Sequence, residues 1–442
     1  MQHDSLQART LSRRAGRLTR RQWCAGVAAA LGTAPAAAQF RVEISGVGAT
    51  QIPVAVARFR DEDGAAPSLG VVSAIVRADL ERSGVIRLVA APGVIDEVAQ
   101  PVLTEWRGRG ADALAGGSVT RLADGRLDVR YKLWDVVRNQ DLGGQSLAVP
   151  LADMRLAAHR VADAIYEKVT GDKGVFSTRI AYVTRAGSRY ALRIADADGE
   201  GGQVALNSPD PIISPAWAPD GRELAYVSFE SQKAVVWIQD VASGQRRKIA
   251  DFRGSNSAPA WSPDGGTLAM TLSRDGSSQL YLMPRAGGAP RRLTQSSAID
   301  TEAAFAPDGA NLYFVSDRGG GPQVYRMATS GGDPQRVTFN GAYNISPAVS
   351  PDGKTLAFIT RLGGGAFRLH AMDLASGTVT ALTDTNDDES PSFAPNGKLI
   401  IYASRSQGRD VLMTTTLDGR IKARLLSTGA DVREPVWGPY NR

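Results

Sequence analysis

The sequence has one cysteine, Cys24, and three histidines in 442 residues. With Cys24 inside the leader described below, the remainder has no thiol chemistry and no disulfide, and is indifferent to an oxidising compartment. No apolar run reaches the 18 or more residues of a membrane-spanning helix. The Gly-x-Ser-x-Gly elbow of serine hydrolases is absent. So is any Gly-rich loop at a strand-to-helix junction that would cradle phosphate; Asp317-Arg318-Gly319-Gly320-Gly321 reads as a turn between strands. His159 and His370 have no Cys or His at metal-ligand spacing, so both read as satisfied or surface side chains. Asp384, Asp387, Asp388 and Glu389 lack the alternate spacing of a calcium loop and read as an exposed acidic loop. No catalytic residue, metal or cofactor is expected.

Excess charge is also scarce. The net charge is +6, and the first 38 residues hold six Arg against one Asp, which leaves only +1 for the rest. A nucleic-acid surface would need that charge on the folded part.

What the sequence has in quantity is a period. Pro219, Pro263, Pro307, Pro351, Pro395 and Pro439 stand 44 residues apart without net insertion. Each closes a short strand such as Ala260-Trp261-Ser262, and all but the last run into Pro-Asp-Gly or Pro-Asn-Gly, a hairpin signal in which Gly supplies positive φ. A second apolar strand follows with a large residue in register: Tyr182, Tyr226, Met270, Phe314, Phe358 and Tyr402. Third and fourth strands complete the unit. Four strands repeated six times predict an all-β six-bladed propeller, in which radial repetition protects the strand edges. The first unit lacks its Pro-x-Trp strand and the last such strand, at 435–438, has nothing after it. The C-terminal strand is therefore expected to close the first blade, and truncation before Glu434 to open the ring.

Residues 1–38 read as an export signal: a basic region containing Thr19-Arg20-Arg21-Gln22-Trp23, an Ala/Gly-rich core, and Ala36-Ala37-Ala38 before Gln39. Twin-arginine and general secretion routes both fit it. Residues 39–174 read as an α/β domain, with a strand over 51–59, an amphipathic helix over 68–84, a strand over 85–90 and a hairpin across Ala123-Asp124-Gly125. A strand over 146–149 follows, then a helix over 151–170 that presents Met154, Ala158, Val161, Ile165 and Val169 inward. The propeller takes 175–442.

The segments joining each fourth strand to the next inner strand open on one end of the ring: 208–214, 252–258, 296–302, 340–346, 385–390 and 429–434. They vary while the strands repeat, and they hold Asp210, Arg253, Ser255, Asn256, Thr301, Glu302, Asn344, Glu389 and Arg433. Variable loops on rigid strands are where binding surfaces are usually built.

Taken together, three stretches make the chain resemble the TolB family, periplasmic components of the Tol-Pal system of Gram-negative bacteria. They are Pro259-Ala260-Trp261-Ser262-Pro263-Asp264-Gly265 with its copies, Leu224-Ala225-Tyr226-Val227-Ser228-Phe229-Glu230-Ser231, and the junction from Glu167 to Gly171 leading through Gly174-Val175-Phe176 to Thr178-Arg179-Ile180-Ala181-Tyr182-Val183. The resemblance implies a non-enzymatic monomer whose loop-bearing end binds the lipoprotein Pal, with Thr301-Glu302 and Glu389-Ser390 at family positions. Ser255 stands where the family commonly has histidine. It also implies that the first mature residues, here Phe40, Arg41, Val42, Glu43 and Ile44, bind TolA, in an equilibrium between docked and released forms that Pal binding biases. The alternation of Phe40 to Ile44 suits strand addition to a partner's edge. Two other classes stay open on the residues alone: a periplasmic hydrolase or ligand-binding protein unrelated to Pal, and a scaffold with other partners.

Overall fold

The computed structural model describes residues 44–45, 51–62, 71–361, 363, 365–425 and 430–441. The leader reading of 1–38 and the positions Phe40 to Glu43 lie outside the described residues.

The N-terminal elements are β1 (Ile44–Ser45), β2 (Ile52–Val56), β3 (Arg60–Asp61), α1 (Val71–Arg82), β4 (Ile86–Val89), α2 (Leu103–Gly108), β5 (Ala113–Arg121), β6 (Leu127–Asp135), β7 (Gln140–Val149) and α3 (Met154–Thr170). Their sheet runs β4-β2-β5-β6-β7, with β3 beside β5. β2 is parallel to β4 and β5, while β5, β6 and β7 form an antiparallel meander. α1 and α3 cover one face, where Val72, Ile75, Val76 and Leu80 meet Ala158, Val161 and Ile165 over Val54, Val56 and Leu133. Burying each of these Val, Ile and Leu side chains contributes about 1.5–3 kcal/mol relative to leaving it exposed. α3 ends where the period predicts, at Gly171 in a left-handed cap (φ 81°) whose amide donates to Glu167 O. The short α2 carried no readable period: its buried residues are Leu103 and Trp106, which fill a second cluster with Ala55, Leu114 and Trp134 on the other face. β7 is longer than read, because the exposed Gln140–Gly144 stretch continues the pairing without an apolar pattern to announce it.

The C-terminal part is six four-stranded antiparallel sheets, the sixth extended to five strands by β1. Blade two runs Ile212–Trp217, Glu223–Ser228, Val235–Asp240 and Arg246–Ala250 from the inside out. Blades three to six have inner strands Asn256–Trp261, Asp300–Phe305, Tyr343–Val349 and Glu389–Phe393. Blade one combines Arg179–Ala186, Arg189–Asp196 and Gln203–Ser208 with the chain's last strand, Asp431–Trp437, which pairs with Arg179–Ala186. Closure by the C-terminal strand follows from that pairing. The large second-strand residues are almost wholly buried between blades: Tyr226, Met270, Phe314 and Tyr402 have no accessible surface. In the Pro-Asp-Gly turn of blade three, Gly265 takes φ 70° and Asp264 Oδ1 accepts the Gly266 amide at 2.9 Å.

Strands alternate in direction, so the connections into the inner strands share one end of the ring and the Pro-Asp-Gly turns share the other. The α/β elements meet the turn end. Asn396 Nδ2 donates to Lys173 O at 3.0 Å, and Lys398 pairs with Asp172 at 3.1 Å. On α3, the Asp163 carboxylate accepts the amides of Phe176 and Ser177 at 2.7 and 3.0 Å. A Cβ on Gly174 would fall 2.5 Å from Asp163 Cα, so the link must be glycine there.

Candidate binding surfaces

The loop-bearing end is built on a defect repeated in all six inner strands. In each, the pairing with the second strand slips by one residue, between 213 and 216, 257 and 260, 301 and 304, 345 and 348, 389 and 392, and 433 and 436. Within the slip one residue adopts left-handed φ: Ser214 (51°), Ala258 (48°), Glu302 (52°), Ser346 (51°), Ser390 (52°) and Glu434 (54°). A β-bulge re-aims the chain around it, and six in register make a ring. Two ring members are glutamates that bridge to the next blade: Glu302 Oε2 accepts the Ser346 amide at 2.7 Å, and Glu434 Oε2 accepts the Ser214 amide at 3.2 Å. Burial raises the pKa of both carboxyls, and Glu434, with Glu389 nearby, is pushed up to about 7.

The strands begin earlier than the sequence suggests, which corrects the reading of the whole set as loops. Asn256, Thr301, Glu302, Asn344, Glu389 and Arg433 lie in inner strands. Asn256 and Asn344 are fully buried. Asn256 accepts the Phe252 amide and donates to Ala234 O, Phe252 O and Gly254 O. Asn344 donates to Gln323 Oε1 and Asn340 O, each at 2.8 Å. These asparagines hold the loops in shape instead of facing a partner. Thr301 is half-buried and accepts from Thr271 Oγ1 at 3.2 Å. Asp210 is half-buried, its amide donating to Ser208 Oγ.

Arg253 and Ser255 are exposed on one turn. Arg433 is exposed and pairs with Asp410 at 2.5 Å. Glu389, Asp410 and Arg433 line a hollow of about 340 Å³ together with Phe367 and Ile345. The acidic run is not uniformly exposed as expected. Asp388 is buried and accepts from Thr385 Oγ1 at 2.6 Å, from Thr383 Oγ1, and from the Leu369 amide at 3.1 Å. Its charge serves the loop's own hydrogen bonds. Exposed apolar side chains, Ile299 and Phe339, also stand on this end.

The second surface is the outer edge of blade six. β1 pairs antiparallel with Lys422–Arg424, Ile44 opposite Ala423 and Ser45 opposite Lys422. Of the five residues read as an exchangeable strand, Ile44 is therefore placed on this chain's own edge. The alternation of residues 40–44 signals a strand but not which edge receives it.

The third feature had no signal in the sequence. His159 is fully buried, with Nδ1 2.6 Å from Asp79 Oδ2 and Nε2 3.6 and 3.8 Å from Asp196 and Asp198. Burial disfavours its charged form, but the three carboxylates outweigh that and push the imidazole up to about 10. Asp79, His159 and Asp198 have the compactness of a metal triad. Arg82 and Arg155 already neutralise it, at 2.6 Å from Asp79 and 2.7 Å from Asp198.

The fold and these surfaces define a class, a six-bladed propeller with an α/β domain on its turn end and a strand from the N-terminal segment on its rim. The TolB amino-terminal domain matches residues 40–142, and the TolB beta propeller domain matches residues 166–441. The chain belongs to the TolB family. It is 69% identical over 414 residues to the Tol-Pal system protein TolB of Polaromonas sp., covering 93% of this chain and 96% of that one. It is 52% identical to that of Bordetella pertussis, covering 94% of each. The crystal structure of TolB from Acinetobacter baumannii superposes with a TM-score of 0.83 at 39% identity, covering 90% of this chain and 99% of that one.

Proposed function

We propose that this protein is a non-enzymatic periplasmic adaptor of the Tol-Pal system. Its loop-bearing end binds the lipoprotein Pal, and its N-terminal segment binds TolA. In that role it links the inner and outer membranes, maintains outer-membrane integrity and assists invagination at division. The relatives' shared name, Tol-Pal system protein TolB, supports the system. The observation that carries the division of labour is the edge pairing of β1 on blade six. Among the described residues that pairing joins Ile44 and Ser45 to Ala423 and Lys422, and a strand added at an edge can exchange between this chain's edge and a partner's. The α/β contacts described above run to the turn end, which leaves the bulge ring and its exposed Arg253, Ser255 and Arg433 for Pal.

The test is calorimetric titration of the chain from Gln39 with the soluble domain of Pal from the same organism. Binding weakened at least tenfold by Arg253→Glu or Arg433→Glu is expected. Absence of binding at high micromolar protein would refute the Pal reading. Equal weakening by a reversal on the turn end, Arg222→Glu, would refute its placement.

A further inference from the structure

The contact between the α/β elements and blade one contains a buried cluster of charges. Asp79 and Arg82 come from α1, Arg155 and His159 from α3, and Asp196 and Asp198 from the outer turn of blade one. Arg155 reaches Asp196 at 2.9 Å and Asp198 at 2.7 Å. Asp79, His159, Arg82 and Asp198 are all buried. A buried charge cluster stabilises less than the apolar packing it replaces, but its geometry tolerates one registration only, and removing one member strands another.

α1 carries that registration elsewhere. Two residues beyond Arg82, Gly84 turns with φ 75°, and a Cβ there would stand 3.0 Å from the Ile421 side chain. Ile421 is buried at the base of Lys422–Arg424, the strand on which β1 sits. The end of α1 is thus wedged between the ion cluster on one side and the root of the docking strand on the other.

We propose that the Asp79–His159–Asp198 cluster, with Arg82 and Arg155, is a positioning element that sets the occupancy of the blade-six edge by the N-terminal segment, acting through α1, Gly84 and Ile421. The proposal rests on the reading of that segment as an exchangeable strand. It assigns the cluster a part in exchange beyond that of holding two domains together. A loosened cluster lets α1 retreat, Ile421 and the edge strand relax, and β1 loses its partner. In the other direction, withdrawal of the segment by a partner loosens the cluster, because a coupling free energy is reciprocal.

The test is amide hydrogen exchange on the whole chain from Gln39, read on peptides covering residues 39–50 and 417–425. Asp198→Asn keeps the shape and the acceptor for the Glu200 amide and removes the charge together with the oxygen that accepts from Arg155 Nη2 at 2.7 Å. Ile421→Ala trims the contact at the other end of the path to Cβ. Each is expected to raise exchange at Ile44 and Ser45 at least tenfold, with the blade-three strand Thr267–Leu272 unchanged. The double variant should exceed neither single by more than about twofold, since both break one path. Independent, multiplying effects would overturn the proposal, as would an Asp198→Asn chain that loosens α1 and α3 without change at residues 44–45. If the unaltered chain already exchanges there at the free-peptide rate, the docking reading itself fails, and with it the coupling. That outcome is distinguishable because it appears before any variant is compared.

Discussion

Three tryptophans occupy the same position in different blades, and the structure gives their indole N–H groups different fates. Trp437 Nε1 donates to Thr178 Oγ1 at 2.8 Å and Trp261 Nε1 donates to Ala216 O at 3.1 Å. Trp217 Nε1 is buried and meets no acceptor among the described residues. All three are at most 9% exposed, so their replacement by phenylalanine removes similar apolar surface. The ring still fits, since Phe305 and Phe393 stand at equivalent positions. A net hydrogen bond contributes about 0.5–1.5 kcal/mol, while a buried donor without a partner costs about 1–3 kcal/mol. Lost indole volume adds about 1 kcal/mol of cost to every variant. Trp437→Phe and Trp261→Phe should therefore each destabilise by about 2 kcal/mol. Trp217→Phe should be neutral or stabilising by up to about 2 kcal/mol, because removal of the unpaired donor offsets the lost volume. Urea unfolding at constant m-value reads the difference directly. Equal losses at all three positions would refute the hydrogen-bond argument and leave volume as the only determinant. Trp437 also stands beside blade six, where its backbone amide donates to Ser392 Oγ at 3.0 Å, a bond that a side-chain substitution keeps. Trp437→Ala should cost about 3–5 kcal/mol.

Two titrations should appear as stability changes of known sign. His159 has a folded pKa of about 10 against 6.5 for the free side chain. Its contribution is fully present below pH 6.5 and is lost as pH rises through 10, so His159→Gln should flatten the alkaline fall in melting temperature. Glu434 has a folded pKa of about 7 against 4.5. Stability should fall between pH 4.5 and 7 in the unaltered chain, and less in Glu434→Gln; identical profiles would refute its burial in the ring. Gly84→Ala combines a left-handed backbone with a 3.0 Å approach to Ile421. It should cost about 1–3 kcal/mol by thermal unfolding, and no measurable cost would refute that close approach.

What could be read in the sequence is what repeats or is local. The six Pro-Asp-Gly or Pro-x-Trp sites give strand order, blade count and closure, because each turn and strand is specified by residues within a few positions of one another. α3 was legible for the same reason, from Met154, Ala158, Val161 and Ile165 at helical spacing to a stop at Gly171. α2 was not, because six residues hold too few turns for a period. The bulge ring was half legible. Ser214-Pro215, Ala258-Pro259, Ser346-Pro347, Ser390-Pro391 and Glu434-Pro435 recur in register, and proline at a fixed place in a strand marks a bulge or an edge. The spacing could not say that the preceding residue turns left-handed, or that Glu302 and Glu434 spend their carboxylates on the next blade. The same limit applies to Asn256 and Asn344, whose polar character suggested contact with a partner and whose amides bond their own loops and the preceding blade, at Ala234 O and Gln323 Oε1.

The His159 cluster was beyond reach on different grounds. Its central bond joins residues 80 positions apart, and its other members sit in a blade turn that the 44-residue period treats like any other. Nothing local distinguishes a histidine destined for three carboxylates from one facing water. What the period does supply is a background against which the exception becomes visible. Among the described residues, blade one brings Asp196 and Asp198 in its outer turn to Arg155, and blade six alone carries an extra strand on its edge. These two features lie on either side of the end of α1, between Arg82 and Ile421.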